Sequence, residues 1–406
     1  MKILVLSFYF QPDLCAGSFR STALVESLGR KLGNDDLIEV ITTMPNRYKT
    51  LRNPAQSYQK KGNVIIRRID MPDHESGFLD QALAFWKYWK SVKKLIKNQD
   101  YDLVYATSAR FFTAYLGAKI ANKLQKPLYL DIRDILSDSI KDVFKSKILK
   151  AILLPIVNYM EKYTIESTTH LNLVSEGFKS SFPYYKGEVT YFTNGIDDIF
   201  LDNNYLKQNN NPKIITYAGN IGEGQGLEKI IPEAAKKLKG KYIFNIIGDG
   251  GTKKKLIRQL SRLQIDNVNL LTPVNPNELI KYYQESDFLF LHLNNYEAFK
   301  KVLPSKIFEY GATQKPILAG VSGYAREFLN KHLEDALVFQ PSNAEELIEV
   351  LENYQPQIIV RENFIRKFSR NIILDKMTDN ILALIPSKNA ISIDLQFFNL
   401  WKPLRK

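Results

Sequence analysis

The chain has 406 residues, 45% hydrophobic and 24% charged; this composition excludes a disordered chain, and the length suits two domains of about 150–200 residues better than one core. A net charge of +13 favours anionic partners (nucleic acid, an anionic membrane face or a phosphorylated substrate) without choosing among them. The single cysteine, Cys15, excludes an internal disulfide framework and fits a reducing cytoplasm, and His74, His170, His292 and His332 are scattered without metal-ligand spacing.

The opening run Met1–Phe10 is short, carries Lys2 and meets Gln11-Pro12-Asp13 with no small-residue cleavage site, so it predicts a buried first strand, Ile3–Tyr9, rather than a signal peptide. Strands follow at Ile38–Thr42, Val64–Arg67, Leu103–Ala106, Leu128–Ile132, Leu171–Val174 and Val189–Phe192. Helices are expected between them at Ser21–Leu32, Leu79–Lys97, Phe111–Leu124 and Ile148–Ser167. Continuous apolar strands alternating with amphipathic helices predict a doubly wound α/β unit on a parallel sheet. From Asp202 to Pro212 the chain turns polar and Asn-rich, as a linker does. A second series then runs through Ile214–Ala218, Tyr242–Ile247, Val268–Leu271, Phe288–Leu293, Pro316–Ala319 and Leu337–Phe339, followed by one long helical stretch to about Leu384. The expected division is 1–200, a linker 201–212, 213–352, a helical segment 353–385 and a tail 386–406. The longest later apolar stretch, Ile148 to Val157, is too short to span a bilayer.

Two doubly wound units place a ligand between the carboxyl ends of their strands, so the strand-to-helix loops carry the chemistry. The first loop, Phe10–Arg20, contains Ala16-Gly17, small enough for backbone approach to a ligand or simply for a tight turn; it lacks G-x-G-x-x-G spacing. The second, Asp131-Ile-Arg-Asp134, sets Arg133 between two carboxylates, suited to orienting a hydroxyl or to fixing the loop as a salt bridge. The third, Asn194-Gly195-Ile196-Asp197, reads equally as a turn into the linker. The fourth, Tyr217–Leu227, packs Gly219, Gly222, Gly224 and Gly226 into eight residues, a loop able to bring its backbone to a diphosphate. The fifth, Gly248-Asp-Gly-Gly251, fits a tight turn. The sixth, Leu303–Ala312, opens a helix at Pro304 and sets Lys306 and Glu309 on one face; a cation beside phosphates and a carboxylate beside ribose hydroxyls would use that face, as would an ordinary ion pair.

In this order, Phe10–Gly17, Asp131–Asp134, Tyr191–Asp197, Tyr217–Leu227, Gly248–Gly250, Leu303–Ala312 and Lys315–Ala319 resemble the retaining glycosyltransferases of family 4. The branch most similar is that of bacterial O-antigen and capsule aminosugar transferases. The resemblance covers residues 1 to about 385. It implies a GT-B fold, two Rossmann-like domains facing across a cleft with a C-terminal helix returning toward the first. It also implies an acceptor on the first domain, a nucleotide-sugar, UDP-linked, on the second, and no required cofactor or metal. On that basis Glu309 would bind the donor ribose and Lys306 the diphosphate. Gly17, Gly219, Asn220, Gly222, Gln225 and Gly248 would line the donor, with Asp134 and Arg133 beside the acceptor. Three positions depart from the family pattern: Lys301 stands where many members have Glu, and Asn220 and Gln225 where many have Arg and Lys. The diphosphate would then depend on Lys306, backbone amides and Lys300 or Lys301.

The implied reaction moves an N-acetylated hexosamine or deoxyaminosugar to a lipid-linked or saccharide acceptor in surface-polysaccharide synthesis. A sugar-nucleotide 2-epimerase and a non-catalytic sugar-nucleotide-binding scaffold stay open as alternatives. Aromatic residues interleaved with lysines over Phe78–Lys97, and the apolar face of Ser146–Tyr163, fit an anionic membrane surface, and no nucleic-acid motif is present. The expected location is cytoplasmic and peripheral on the membrane's inner face.

Overall fold

The computed structural model describes residues 1–46, 54–71, 78–144, 146–201, 203–205, 209–357 and 359–386. The expected tail beyond 386, and positions 202 and 206–208 of the expected linker, lie outside them. In the first half the strands are β1 (Lys2–Leu6), β2 (Leu37–Thr43), β3 (Tyr58–Lys61), β4 (Val64–Ile69), β5 (Leu103–Thr107), β6 (Leu128–Ile132), β7 (His170–Leu173) and β8 (Glu188–Thr190). The helices are α1 (Ala16–Lys31), α2 (Phe78–Leu95), α3 (Phe111–Leu124), α4 (Leu136–Val143) and α5 (Lys147–Glu166). The second half holds β9 (Lys213–Asn220), β10 (Tyr242–Asp249), β11 (Val268–Leu271), β12 (Phe288–His292), β13 (Ile317–Gly320) and β14 (Leu337–Phe339). Its helices are α6 (Leu227–Lys237), α7 (Lys253–Arg262), α8 (Pro276–Glu285), α9 (Glu297–Lys300), α10 (Lys306–Gly311), α11 (Tyr324–His332), α12 (Ala344–Glu352), α13 (Glu362–Phe368) and α14 (Arg370–Leu382).

Two sheets result, ordered β3-β4-β2-β1-β5-β6-β7-β8 and β11-β10-β9-β12-β13-β14. Ile3, Leu4, Val5 and Leu6 are all buried, as a strand covered by helices on both faces requires. The chain winds outward from β1 and from β9 in both directions, which opens a crevice at the carboxyl ends beside each central strand. The architecture is the expected pair of doubly wound sheets. One addition is the antiparallel β3–β4 hairpin, with Tyr58 paired to Arg67, at the edge of an otherwise parallel sheet.

Two expected helices are corrected. Helix α1 begins at Ala16, not Ser21, so Gly17 lies in its first turn; a Cβ there would stand 3.3 Å from the Ala109 Cβ, and its smallness lets that turn pack against the loop after β5. The single C-terminal helix is instead α13 and α14, broken at Ser369. There the first half's Ile196 inserts its backbone: Ile196 N donates to Phe368 O at 2.7 Å and Arg370 N donates to Ile196 O at 2.9 Å. Helix α14 then returns to the first sheet, where Leu374, Met377 and Ile381 join the core beneath α1. Ser27 Oγ donates to Asp375 at 2.6 Å and Lys31 pairs with Asp379 at 2.7 Å.

Helices α2, α3 and α5 lie side by side. Phe85 and Trp89 pack on Phe112 and Tyr115 of α3, and Tyr115 meets Tyr163 of α5. Tyr88 is fully buried, its hydroxyl donating to Ile41 O. Phe85, Tyr88 and Trp89 of α2 are therefore packing, and among the described large apolar side chains of this helix Leu83 and Trp86 are exposed. The longer exposed apolar stripe is on α5: Ile148, Ile152, Ile156 and Tyr159 are 53–76% exposed. Among the described residues no helix is long and apolar enough to cross a membrane.

Candidate functional site

A cavity of about 300 Å³ lies in the cleft between the two sheets. The first half contributes Gln11, Leu14 and Phe19, from the loop after β1 and the first turn of α1. The second contributes Gly219 and Gly248 at the ends of β9 and β10, with Lys306 and Glu309 from α10. Gly248 and Gly219 are direct neighbours across the β9–β10 ladder. A Cβ on Gly248 would fall 1.9 Å from the Gly219 carbonyl oxygen, so only glycine lets these strand ends close up into a bare backbone floor.

Lys306 and Glu309 form an ion pair at 2.6 Å on the wall of this cavity. The three-residue spacing on α10 makes the contact possible, and Tyr283 from α8 completes it. Lys306 Nζ donates to the Tyr283 hydroxyl and that hydroxyl donates to Glu309, both at 3.3 Å. Burial, with the neighbouring Tyr310 and Glu309, pushes the Tyr283 phenol well above its ordinary value, so it stays a neutral relay. An ammonium carries three donors; Lys306 thus has an N–H for an anion while Glu309 keeps lone pairs for hydroxyl donors. Pro273, Val274, Pro276 and Leu279 form an apolar side to the same cavity.

Of the donor residues expected from the sequence, Gly219, Gly248, Lys306 and Glu309 converge here. Gly17, Asn220, Gly222 and Gln225 are not among the lining residues. Asn220 Nδ2 donates to Gln225 Oε1 at 2.9 Å, so the two amides clasp each other across the glycine-rich loop. The loop is held from behind as well. Gln225 O accepts from His292 Nδ1 at 2.5 Å, and His292 Nε2 accepts from Ser342 N at 2.8 Å. Gly226 closes the turn at φ +57°, against Asn294, a left-handed conformation suited to glycine.

The acidic strand-end motif divides. Asp131 is fully buried and paired with Arg20, from Arg20 Nε at 2.8 Å and Nη2 at 3.1 Å, with Tyr105 and Asn172 also donating to it. Burial opposes the charge, but Arg20, Arg133 and Asn172 outweigh it and hold the carboxyl below the usual carboxylate range. Asp131 is thus the structural salt bridge, and the motif presents one exposed carboxylate, Asp134. The Arg133 guanidinium is held below its ordinary value by burial and by repulsion from Arg20. Neither Arg133 nor Asp134 lines the cavity.

Lys301 is corrected from a phosphate ligand to a clasp between the halves. It pairs with Asp138 of α4 at 2.6 Å and donates to Ser181 at 2.9 Å. Its carbonyl accepts from Ser175 Oγ, and the nearby Ala298 N donates to Asp142 at 2.6 Å. Lys300 pairs with Glu297. Sequence reading missed Arg370 as a wall of the cavity, where its guanidinium pairs with Asp197 and donates to Asn194 O. Nothing in the local pattern marks it, since the fold alone carries it there. Among the described residues no group of three or more His, Cys, Asp or Glu is placed to hold a metal ion.

The two facing doubly wound sheets, with the chain crossing back through α14, define the GT-B class. Residues 199–367, the stretch that carries Lys306 and Glu309, match the family of glycosyl transferases group 1. The colanic acid biosynthesis glycosyl transferase WcaI of Escherichia coli K12 is 27% identical over 208 residues, 47% of this chain and 50% of that relative. The match spans about half the length of either protein. In fold, the chain is similar to sucrose-phosphate synthase from Thermosynechococcus elongatus, with a TM-score of 0.66, 11% identity and 98% of both chains covered. It is similar too to Anabaena HepE in complex with UDP, with a TM-score of 0.63 and 16% identity, over 94% of this chain and all of that one. HepE has also been solved with UDP-glucose.

Proposed function

We propose that this protein is a glycosyltransferase that moves a sugar from a nucleotide-sugar donor to an acceptor. The observation that carries the reading is the convergence of Gly219, Gly248, Lys306 and Glu309 in one interdomain cavity. Glu309 accepts from the donor's ribose hydroxyls and the apolar Pro273–Val274 side takes the base. Lys306 and the bare backbone at Gly219 and Gly248 face the diphosphate. As the sugar–phosphate bond breaks, charge grows on the leaving phosphate, and fixed cations and amides in a water-poor cleft stabilise that charge most strongly. Arg370 adds a second cation to the wall, in place of the family pair replaced by Asn220 and Gln225. Asp134 and Arg133, on the first domain, orient the acceptor hydroxyl, with Gly17 behind the sugar.

The finer reading follows the family resemblance. The donor is UDP-linked, as HepE's structures with UDP and UDP-glucose support, and the sugar is an N-acetylated hexosamine or deoxyaminosugar. It is transferred with retention and without a metal to a lipid-linked or saccharide acceptor, in surface-polysaccharide synthesis as the likeness to WcaI supports. The enzyme works at the cytoplasmic membrane face, where the exposed α5 stripe with Trp86 meets lipid. Lys90 lies 3.7 Å from the Trp86 ring centre and Lys119 3.9 Å from that of Tyr163, which sets ammonium groups beside aromatic rings as an anionic interface favours.

The test is transfer and donor binding with the purified protein in EDTA, against UDP-sugars and a lipid-linked acceptor. Glu309→Ala and Lys306→Ala should each weaken UDP binding by about 1.5 to 3 kcal/mol, tenfold or more, as loss of a charge-assisted hydrogen bond does. Unchanged UDP binding and transfer in both variants overturns the site assignment. Release of a free epimerised sugar nucleotide overturns the reaction, and loss of transfer in EDTA overturns metal independence.

A further inference from the structure

A second cavity, about 900 Å³, shares no lining residue with the first and is also built by both halves. The residues after β7 supply Val174, Glu176, Gly177, Lys179 and Ser180, the crossover supplies Tyr191 and Thr193, and α11 and α13 supply Lys331, His332, Lys367 and Phe368. Five lysines line it against two carboxylates, Glu176 and Glu327. Lys300 and Lys301 are satisfied by Glu297 and Asp138. Lys179, Lys331 and Lys367 have no carboxylate within ion-pair distance among the described residues.

Two further observations point to an anion as the ligand of this groove. The His332 ring is wedged against Phe328 and Phe368, with centroids 4.7 and 5.1 Å away. Burial, and then the repulsion of Lys367 and Lys331, hold its imidazole below the ordinary value. Thr193, 8% exposed, lines the same cavity, and its hydroxyl lacks a hydrogen-bond partner. A buried hydroxyl left unsatisfied costs free energy that a bound acceptor removes.

We infer that this groove is a second anion site, which takes a phosphate- or diphosphate-bearing group between Lys331, Lys367 and Lys179 with Thr193 donating to it. It is independent of the donor reading. Because both halves line it, its occupant bridges them and favours the arrangement in which both reach it.

The experiment uses the full chain, with His332 as the reporter because it lines the second cavity and not the first. Inorganic pyrophosphate is titrated while the His332 ring resonances are followed by NMR. A saturable shift is expected, and the exposed double substitution Lys331→Gln/Lys367→Gln should weaken the binding about tenfold or more. That variant should keep its affinity for UDP. Thr193→Val should weaken pyrophosphate binding as well, by about threefold to tenfold. A His332 signal that does not move, or a binding curve unchanged in the double variant, overturns the site. A parallel titration with farnesyl diphosphate identifies the source: binding at least about tenfold tighter than pyrophosphate assigns a lipid-borne diphosphate, and equal binding a soluble phosphate compound. Failure of UDP itself to bind would strike the donor reading and leave this site standing.

Discussion

His292 shows how a single buried residue conditions the site. Burial pushes its imidazole down to about 4, the Gln225 carbonyl partly offsetting this and Lys229 adding to it. In the unfolded chain the group titrates near 6.5, so between those values the unfolded state binds the extra proton and folding loses stability as pH falls. Above pH 6.5 the contribution is complete; through the window down to 4 it is lost, to the extent of about 3 kcal/mol. The proton would also cost His292 Nε2 its role as acceptor from Ser342 N. Urea unfolding at pH 7 and pH 4.5 should show the loss, and His292→Gln should flatten it. A wild-type slope that persists unchanged in the variant would remove His292 from this role.

At the scale of elements, the crossover from β8 to the second domain is fastened by Arg20 of α1. Besides Asp131, its guanidinium donates to Phe192 O at 2.7 Å and Thr193 O at 2.5 Å, and it is 1% exposed. Asn172 of β7 braces the same strand end, its Oδ1 accepting from Phe192 N at 2.7 Å. A buried pair of this kind is expensive to break from one side, because the remaining charge is stranded. Arg20→Met should therefore lower unfolding free energy by about 3 to 5 kcal/mol, while Arg20→Met/Asp131→Leu recovers much of it. Both follow from chemical denaturation, and a single variant as stable as the parent would sink the claim. The pair also fixes the direction in which Asn194–Asp197 leave the sheet, and hence where Asp197 meets Arg370.

For the whole molecule, the question is which way the two-domain body faces. The α5 stripe Ile148–Ile152–Ile156–Tyr159 and the lysines about it belong to the first domain, so membrane attachment would leave the second domain free to open and close. Flotation with liposomes containing anionic phosphatidylglycerol should carry the wild type at physiological salt. Ile152→Glu/Ile156→Glu should lower its partition at least about tenfold without changing thermal stability, since both side chains are exposed. Absence of wild-type flotation would discard the membrane reading and leave the donor site untouched.

Two facing Rossmann-like units were legible in the chain because strands such as Ile3–Leu6 and Phe288–His292 are apolar on both faces, and only a sheet covered twice buries them. Lys306 and Glu309 were legible too, because helical spacing is local and three residues place two side chains side by side. What could not be read was every pairing set by chain paths that the local pattern does not encode. Asp131 and Asp134 look equivalent in sequence, yet the first lies within β6 against Arg20, 111 residues away, and is buried, while the second lies past the strand's end and is exposed. Lys301 looked like a phosphate ligand until α4 brought Asp138 against it, and Arg370 gave no sign at all, 173 residues from Asp197. Periodicity and local spacing are properties of neighbouring residues and survive in one dimension. A salt bridge or a cavity wall depends on where separate segments cross, and the packing of the two domains around the crossover decided that.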